Sequence, residues 1–218
     1  MRTEEAVPKK LQYIRSLYAR EDALLERIST ALPAGKRGMQ IGAEEGAFLA
    51  WLVSAFAVSS IVEIGTAAGY SALWMARALP ENGVLHTIEA NQEHAEIARK
   101  FFAEDKAGAR ITLHEGKADI VLENLPQQKW DMVFIDADKA AYPFYLDWAE
   151  KNLRTGGLLV ADNTLLFGAL YDEQQNFRVS NNMKKAMQNF NQSLADSTVF
   201  SALLLPTSEG LTLARKLS

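Results

Sequence analysis

From Ser60 onward, short apolar runs alternate with longer amphipathic segments, and this alternation constrains the fold more than any other feature of the sequence. The apolar runs, each of strand length, lie at residues 61–64, 84–88, 111–113, 132–135 and 158–161. Segments with helical spacing lie between them, at about 70–79, 92–106, 118–124 and 142–152. Strands separated by helices form βαβ units, so the sequence predicts an α/β fold whose parallel sheet is covered by helices on both faces.

The two ends of the chain differ from this alternation. Near the N-terminus, apolar residues have helical spacing over about 9–32, with a break at 20–22, and again over about 43–56. Near the C-terminus, a helix over about 181–194 precedes two strand-like segments, 200–205 and 211–216, whose short connection predicts an antiparallel hairpin. We therefore predict a single domain over 1–218, with N-terminal helices over 1–57 and a three-layer α/β core over 58–218.

Composition excludes several classes of protein. The sequence has no cysteine, which excludes a disulfide framework, a thiolate nucleophile and a cysteine-based zinc site. Its net charge of −4 provides no general attraction to nucleic acid. The charged N-terminus and the lack of an apolar run of about 20 residues predict a soluble, cytoplasmic protein without a membrane partner. The three histidines show no ligand spacing, and we interpret them as structural or surface residues: His86, His94 and His114.

The first predicted strand leads into a turn that contains glycine. Ligands of open α/β sheets bind at the carboxyl ends of the strands. Gly65 and Gly69 allow a tight turn, and the helix that follows offers N–H groups to an anion. Ala67 occupies the place of the second glycine in the dinucleotide-binding G-x-G-x-x-G motif, which argues against an NAD-dependent dehydrogenase. The alternative is an ordinary strand-to-helix turn.

Glu89 ends the second predicted strand. An acidic residue at this place accepts hydrogen bonds from both ribose hydroxyls of a nucleoside ligand. The alternative is a capping role at the helix that begins near Asn91. Together, the glycine turn and Glu89 favour a ligand that contains adenosine but no pyrophosphate.

Polar side chains also follow the fourth and fifth predicted strands. Asp136 comes directly after one of them, and Asp162 and Asn163 come at the end of the other. Two carboxylates and an amide oxygen are hard ligands that suit Mg²⁺, Mn²⁺ or Ca²⁺. The alternative is that each aspartate only caps a helix or a turn.

Taken in order, these motifs resemble the bacterial branch of the cation-dependent O-methyltransferases, the family of caffeoyl-coenzyme A and catechol O-methyltransferases. The resemblance covers about residues 11–216. The matching segments are Met39-Gln40-Ile41, Glu45-Gly46, Val62-Glu63-Ile64-Gly65-Thr66, Gly69-Tyr70-Ser71, Phe134-Ile135-Asp136-Ala137-Asp138-Lys139, Asp162-Asn163 and Gly210-Leu211. The resemblance implies a seven-stranded Rossmann-like methyltransferase fold with an antiparallel last strand, S-adenosylmethionine as cofactor, and a homodimer.

The same resemblance implies roles for individual residues. Those implied to line the S-adenosylmethionine pocket are Ile41, Glu63, Gly65, Thr66, Ser71, Glu89, Ala118, Asp136 and Asp138. Those implied to hold the metal, magnesium or else manganese or calcium, are Asp136, Asp162 and Asn163. Lys139 matches the lysine proposed to take the acceptor's proton, a role that requires a lowered pKa, and Tyr145 matches a position that contacts the acceptor.

We therefore predict a metal-dependent O-methyltransferase that acts on a small catechol-like or hydroxycinnamoyl acceptor. The chain departs from its relatives at Ser208-Glu209, where Gly-Asp is common, and in its own loop over 167–182. These departures leave the acceptor open. One alternative is a tRNA wobble 5-hydroxyuridine methyltransferase, and another is a binding protein without turnover, which the intact site residues disfavour. Phosphate contacts to a tRNA would come from basic residues near the N-terminus, Lys9, Lys10, Arg15, Arg20, Lys36 and Arg37.

Overall fold

The computed structural model describes residues 7–33, 40–172, 179–207 and 209–218. The predicted features that lie outside these ranges are Lys36, Arg37, Met39, Ser208 and residues 173–178 of the acceptor loop. In the described ranges, no helix combines the length and the apolar character that crossing a membrane requires.

Seven strands of the described chain form one mixed sheet. They are β1 (Ser60–Ile64), β2 (Val84–Glu89), β3 (Ile111–Glu115), β4 (Trp130–Ile135), β5 (Leu153–Asp162), β6 (Phe200–Leu205) and β7 (Leu211–Lys216). Their order across the sheet is β3-β2-β1-β4-β5-β7-β6. The pairs β2–β3, β1–β4 and β4–β5 are parallel, whereas β7 is antiparallel to both β5 and β6. This arrangement confirms the predicted α/β fold with its C-terminal hairpin.

The predicted helices are present, with small differences at their ends. They are α1 (Lys9–Tyr18), α2 (Ala23–Ser29), α3 (Ala43–Ala55), α4 (Tyr70–Ala78), α5 (Gln92–Phe102), α6 (Ala118–Glu123), α7 (Tyr142–Asn152) and α8 (Asn181–Ala195). The largest difference is in α5, which was predicted to continue to about residue 106. Here the chain folds back over the end of the helix, since a Cβ on Gly108 would lie 1.8 Å from the carbonyl oxygen of Phe102.

The chain forms two compact units. The first contains Met1–Ser60 and Gly65–Glu123. In this unit the start of α2 is tied to α4, because Asp22 accepts a hydrogen bond from the Leu25 N–H and also pairs with Arg77 at 2.7 Å. The Tyr70 hydroxyl of α4 also donates a hydrogen bond to Glu21, at 2.8 Å. The start of α2 is therefore fixed to α4 by two polar contacts.

The first unit also contains a pair of histidines that the sequence did not reveal. His86 on β2 and His114 on β3 have stacked rings, and Nδ1 of the first lies 2.9 Å from Nε2 of the second. Burial lowers the pKa of both imidazoles, and their mutual repulsion adds to the effect at His86. The pair therefore favours its neutral form.

The second unit contains Ile61–Ile64 and Asn124–Ser218. Its centre is β4, where the side chains from Met132 to Ile135 are all fully buried. A strand covered on both faces has a continuous apolar sequence instead of an alternating one, which explains why this strand was clear in the sequence. Phe190 and Met187 of α8 are fully buried in the same unit.

Candidate active site

In the first unit, the turn after β1 has the backbone geometry of a ligand-binding loop. Gly65 and Gly69 have φ values of +101° and +91°, and Ala67 has φ +49°, a conformation that is strained for alanine. A Cβ on Gly69 would lie 2.5 Å from the Phe102 ring, so only glycine fits there. Because Gly69 is also the N-cap of α4, that helix begins without a side-chain cap, and its N-terminus offers partial positive charge to an anion.

Glu89 ties this turn to the end of β2. Its Oε2 accepts a hydrogen bond from the Ala67 N–H and its Oε1 accepts one from the Asn91 N–H, both at 2.8 Å. The N-cap of α5 is Asn91, whose own side chain accepts from the His94 N–H, so Glu89 is not the capping residue. A carboxylate has about four acceptor sites, and Glu89 therefore keeps capacity for two ribose hydroxyls.

The other residues predicted to bind the cofactor occupy several elements. In the first unit, Ile41 precedes α3, Ser71 lies in the first turn of α4 and Ala118 begins α6. The Thr66 hydroxyl, in the same unit, lies 2.5 Å from the Thr87 hydroxyl. In the second unit, Glu63 is fully buried in β1. Asp138 is exposed, and its carboxylate accepts from the Ala140 N–H at the start of a 3-10 helix, Lys139–Ala141. Cofactor contacts by these residues stay predictions.

A set of polar side chains lies at the ends of β4 and β5, in the second unit. We call it the buried polar cluster, and its members are Asp136, which is partly exposed, and the buried residues Lys139, Tyr142, Asp162, Asn163 and Glu209. Ile135 of β4 pairs with Ala161 of β5 in the parallel register, so the residues that follow these two strands lie next to each other. The expectation that these strand ends are neighbours is confirmed.

Lys139 lies at the centre of this cluster. Its Nζ donates to Asp136 Oδ1 at 3.0 Å and to the Tyr142 hydroxyl at 2.7 Å. That hydroxyl in turn donates to the backbone carbonyl of Asp162 at 2.7 Å. Burial by itself lowers the pKa of Lys139, but Tyr142 and the negative charge of the two aspartates outweigh it and raise the pKa above its usual value. These contacts favour the ammonium form of Lys139, whereas a proton acceptor requires the neutral amine.

Asn163 links the remaining members of the cluster. It has φ +57°, a left-handed conformation that asparagine tolerates better than most residues. Its backbone N–H donates to Asp162 Oδ1 at 2.7 Å. Its side-chain Nδ2 donates to Asp162 Oδ2 at 3.0 Å and to Glu209 Oε2 at 2.5 Å. The predicted metal residues Asp162 and Asn163 are thus in direct contact.

The donor types in the cluster are those that a hard divalent cation accepts, although Asn163 turns its amide N–H₂ group, not its oxygen, towards Asp162. It contains three carboxylates, an amide and a single ammonium, so its formal charge is −2, and buried negative charge requires compensation. In the part of the chain that the structure describes, no three histidine, cysteine, aspartate or glutamate side chains converge as ligands. The predicted set of Asp136, Asp162 and Asn163 is instead two carboxylates and an amide, donors that suit magnesium with water at the other positions.

Two contacts in this region were not foreseen from the sequence. Tyr142 follows Lys139 by three residues and holds its ammonium group, and this short spacing was a signal that could have been used. Glu209 was noted only as a departure from the relatives, without a role.

Tyr145, predicted to contact the acceptor, is buried on α7, with its ring centroid 6.1 Å from that of Tyr142. Its contact with the acceptor stays a prediction.

Comparison with known proteins identifies the family. The model of the O-methyltransferase family matches residues 16–217. The chain belongs to this family. A protein named catechol O-methyltransferase, from Niastella koreensis, is 38% identical over 202 residues, which cover 88% of this chain and 87% of that protein.

Solved structures identify the cofactor. The O-methyltransferase TomG from Streptomyces achromogenes, solved with S-adenosylmethionine, has a TM-score of 0.84 and 31% identity over 95% of each chain. An O-methyltransferase from Bacillus cereus, solved with S-adenosylhomocysteine, has a TM-score of 0.83 and 32% identity over 94% of this chain and 96% of that one. The chain is thus an S-adenosylmethionine-dependent O-methyltransferase. The comparisons lend no support to the tRNA alternative, and Arg15, one of its proposed phosphate contacts, is paired with Glu44.

The position of Glu89 leads to a prediction about cofactor binding. Glu89→Gln is expected to weaken S-adenosylhomocysteine binding by roughly 10- to 100-fold, because hydrogen bonds to a charged group contribute about 1.5–3 kcal/mol. Isothermal titration calorimetry measures this change. Glu115→Gln is a matched control, since Glu115 is the register partner of Glu89 on β3 and pairs with Arg99. Equal affinity of the Glu89 variant and the wild type would remove Glu89 from the cofactor site.

Proposed function

We propose that this O-methyltransferase transfers the methyl group of S-adenosylmethionine to one hydroxyl of a small catechol-like or hydroxycinnamoyl acceptor, and that it requires a divalent metal ion, magnesium first. The observation that carries this proposal is the buried polar cluster, in which Lys139 contacts the carboxylate of Asp136 and the amide of Asn163 contacts the carboxylate of Asp162. The catechol O-methyltransferase at 38% identity supports a small aromatic acceptor.

In this proposal Asp136, Asp162 and Asn163 hold the ion through their side-chain oxygens. The ion supplies positive charge that stabilises the acceptor's oxyanion and offsets the carboxylates beside Lys139. The protein's own contribution is a fixed set of donors. Asp162 is oriented by the backbone N–H of Asn163, and Asp136 by the ammonium of Lys139.

The reaction itself is an in-line displacement. The acceptor oxygen forms a bond to the methyl carbon, the bond from that carbon to sulfur breaks with both electrons going to sulfur, and S-adenosylhomocysteine leaves. The hydroxyl proton would go to Nζ of Lys139 in its neutral amine form, so this ammonium must first lose a proton to solvent; Tyr142 and Asp136 hold the group in place. A neutral phenol is a poor nucleophile, with a pKa of about 10, so removal of this proton is the step that the cluster has to promote.

Tyr145 and the loop over 167–182 are proposed to select the acceptor. Phe167 in this loop is exposed and has φ +57°, which is strained for a bulky residue, and strain of this kind is concentrated at functional sites. A homodimer and a cytoplasmic location remain predictions of this proposal, and light scattering tests the first of them.

The decisive test is methyl transfer from labelled S-adenosylmethionine to caffeate, to a plain catechol and to bulk tRNA from a methylation-deficient strain, each with Mg²⁺ and with EDTA. We expect labelling of a small acceptor that EDTA abolishes and that added Mg²⁺ restores. Labelling that survives EDTA would exclude the metal role. Labelling of tRNA alone would exclude the proposed class of acceptor.

A further inference from the structure

We infer that Thr87 of β2 is a positioning residue for S-adenosylmethionine, which holds the turn after β1 in its binding conformation through the side-chain hydroxyl of Thr66. Thr66 was expected to contact the cofactor, whereas the sequence assigned no role to Thr87. The inference rests on the family's cofactor and on the glycine turn. It depends neither on the metal ion nor on the acceptor of the proposed function.

The two threonine hydroxyls form a hydrogen bond in the interior of the protein. Oγ1 of Thr66 lies 2.5 Å from Oγ1 of Thr87, and the two residues are 1% and 0% exposed. A buried hydroxyl needs a partner, because it has given up its hydrogen bonds to water. Threonine is branched at Cβ, so the contact also restricts rotation of the side chain about χ1. It therefore fixes the side chain of Thr66 against β2.

Thr66 connects this hydrogen bond to the start of α4. Its backbone carbonyl accepts a hydrogen bond from the Gly69 N–H at 2.8 Å. Gly69 is the N-cap of α4, the helix whose N-terminus offers partial positive charge to an anion. The amino-acid part of S-adenosylmethionine carries a carboxylate, which is an anion of this kind. A change in the orientation of Thr66 would therefore displace the anion-binding end of the helix.

The turn needs support from β2 because its backbone is strained. Ala67, which follows Thr66, has φ +49°, and a conformation of this kind persists only where surrounding contacts hold it. On one side of Thr66, the Gly65 N–H donates to the Ile88 carbonyl at 3.0 Å. On the other side, the Ala67 N–H donates to Glu89 Oε2 at 2.8 Å. The hydrogen bond between the threonine hydroxyls lies between these two contacts and fixes the middle of the turn.

The conformation of the turn in the free enzyme determines how tightly the cofactor binds. Without the hydroxyl of Thr87, the turn would spend part of its time in other conformations. The apparent dissociation constant of a ligand rises as the binding-competent fraction of the protein falls. We therefore expect loss of this hydroxyl to weaken cofactor binding. A hydroxyl that only stabilised the fold would lower the melting temperature and leave the affinity unchanged.

Two variants of Thr87 separate its hydroxyl from its shape. Thr87→Val keeps the shape of the side chain and loses the hydroxyl, whereas Thr87→Ser keeps the hydroxyl and loses the methyl group. The measurement is isothermal titration calorimetry with S-adenosylhomocysteine, which requires no acceptor. We expect the valine variant to bind about tenfold more weakly than the wild type, and the serine variant to bind within about threefold of it.

A double variant tests whether the two hydroxyls act as a pair. A single exchange to valine takes the partner from one buried hydroxyl, whereas exchange of both removes both hydrogen-bonding groups and can be nearly neutral. We expect Thr66→Val with Thr87→Val to bind S-adenosylhomocysteine no more weakly than either single variant. If the Thr66 hydroxyl instead contacts the cofactor, Thr66→Val weakens binding and Thr87→Val does not.

Thr212→Val is the matched control, because it breaks a similar contact in the other unit. The Thr212 hydroxyl donates to the Thr164 hydroxyl at 2.8 Å, and both residues are buried. We expect this variant to have a lower melting temperature, as Thr87→Val has, but to keep the affinity of the wild type for S-adenosylhomocysteine.

Three results would overturn the role of Thr87. They are unchanged affinity of Thr87→Val, equal weakening in its serine and valine variants, and a loss in the double variant equal to the sum of the single losses in binding free energy. An equal loss of affinity in Thr212→Val would also overturn it, because the loss would then come from general destabilisation. Failure of the wild type to bind S-adenosylhomocysteine would overturn the cofactor site itself, and the role of Thr87 with it.

Discussion

Exchange of Asp136 or Asp162 for asparagine is expected to reduce methyl transfer by about three orders of magnitude or more. A metal ion that stabilises the developing oxyanion contributes several kcal/mol to the transition state, and each 1.36 kcal/mol corresponds to about tenfold in rate. Each exchange removes one of the two proposed charged ligands and keeps the size of the side chain. The measurement is kcat with saturating Mg²⁺ and both substrates.

The fold is expected to survive these exchanges. Asparagine at position 162 keeps an oxygen that accepts the Asn163 N–H, the contact that now orients Asp162. Asp131→Asn is the matched control for Asp136, because Asp131 lies on β4, the strand that Asp136 follows, but pairs with Arg154 instead of Lys139. We expect the control to keep its activity and all three variants to bind S-adenosylhomocysteine. Normal turnover by an Asp136 or Asp162 variant in EDTA would contradict the proposed mechanism.

The strands could be predicted because a strand that is buried on both faces has a continuous apolar sequence. Residues 132–135 of β4 are covered on both faces and form an unbroken apolar run. The ends of β6 and β7 agree with the prediction because a turn with proline and glycine separates them. The position of β7 between β5 and β6 could not be predicted, since the apolar pattern of a hairpin does not specify which of its strands pairs with the sheet.

The candidate site could be predicted from the sequence only in part. The nearness of Asp136 to Asp162 follows from topology alone, because neighbouring parallel strands end at the same edge of a sheet. The contact between Asn163 and Glu209 joins residues 46 positions apart and depends on how the C-terminal hairpin packs against the segment after β5. The pairing of His86 with His114 depends in the same way on register. Side-chain contacts of this kind require the three-dimensional structure.

The pKa of Lys139 also could not be predicted from the sequence, and it leads to the second prediction with a large expected effect. From the sequence, a catalytic lysine implies a lowered pKa, whereas here burial, which lowers the pKa, is outweighed by Tyr142 and the carboxylates of Asp136 and Asp162, which raise it. If Lys139 accepts the proton in the loaded enzyme, Lys139→Met removes that acceptor while keeping much of the apolar stem. We expect kcat to fall by about 10²- to 10⁴-fold, the usual contribution of a general base. The KM for S-adenosylmethionine should stay near wild type.

Tyr142→Phe is the informative comparison for this prediction. It keeps the aromatic ring but removes the hydroxyl that lies 2.7 Å from Nζ, so the ammonium group loses one of its two contacts in the cluster. We expect a smaller loss of kcat than in Lys139→Met, because the proton acceptor is still present but less well held. Measuring kcat against pH for both variants separates the two roles. An unchanged rate of Lys139→Met across this range would exclude Lys139 as the proton acceptor, whatever the behaviour of Tyr142→Phe.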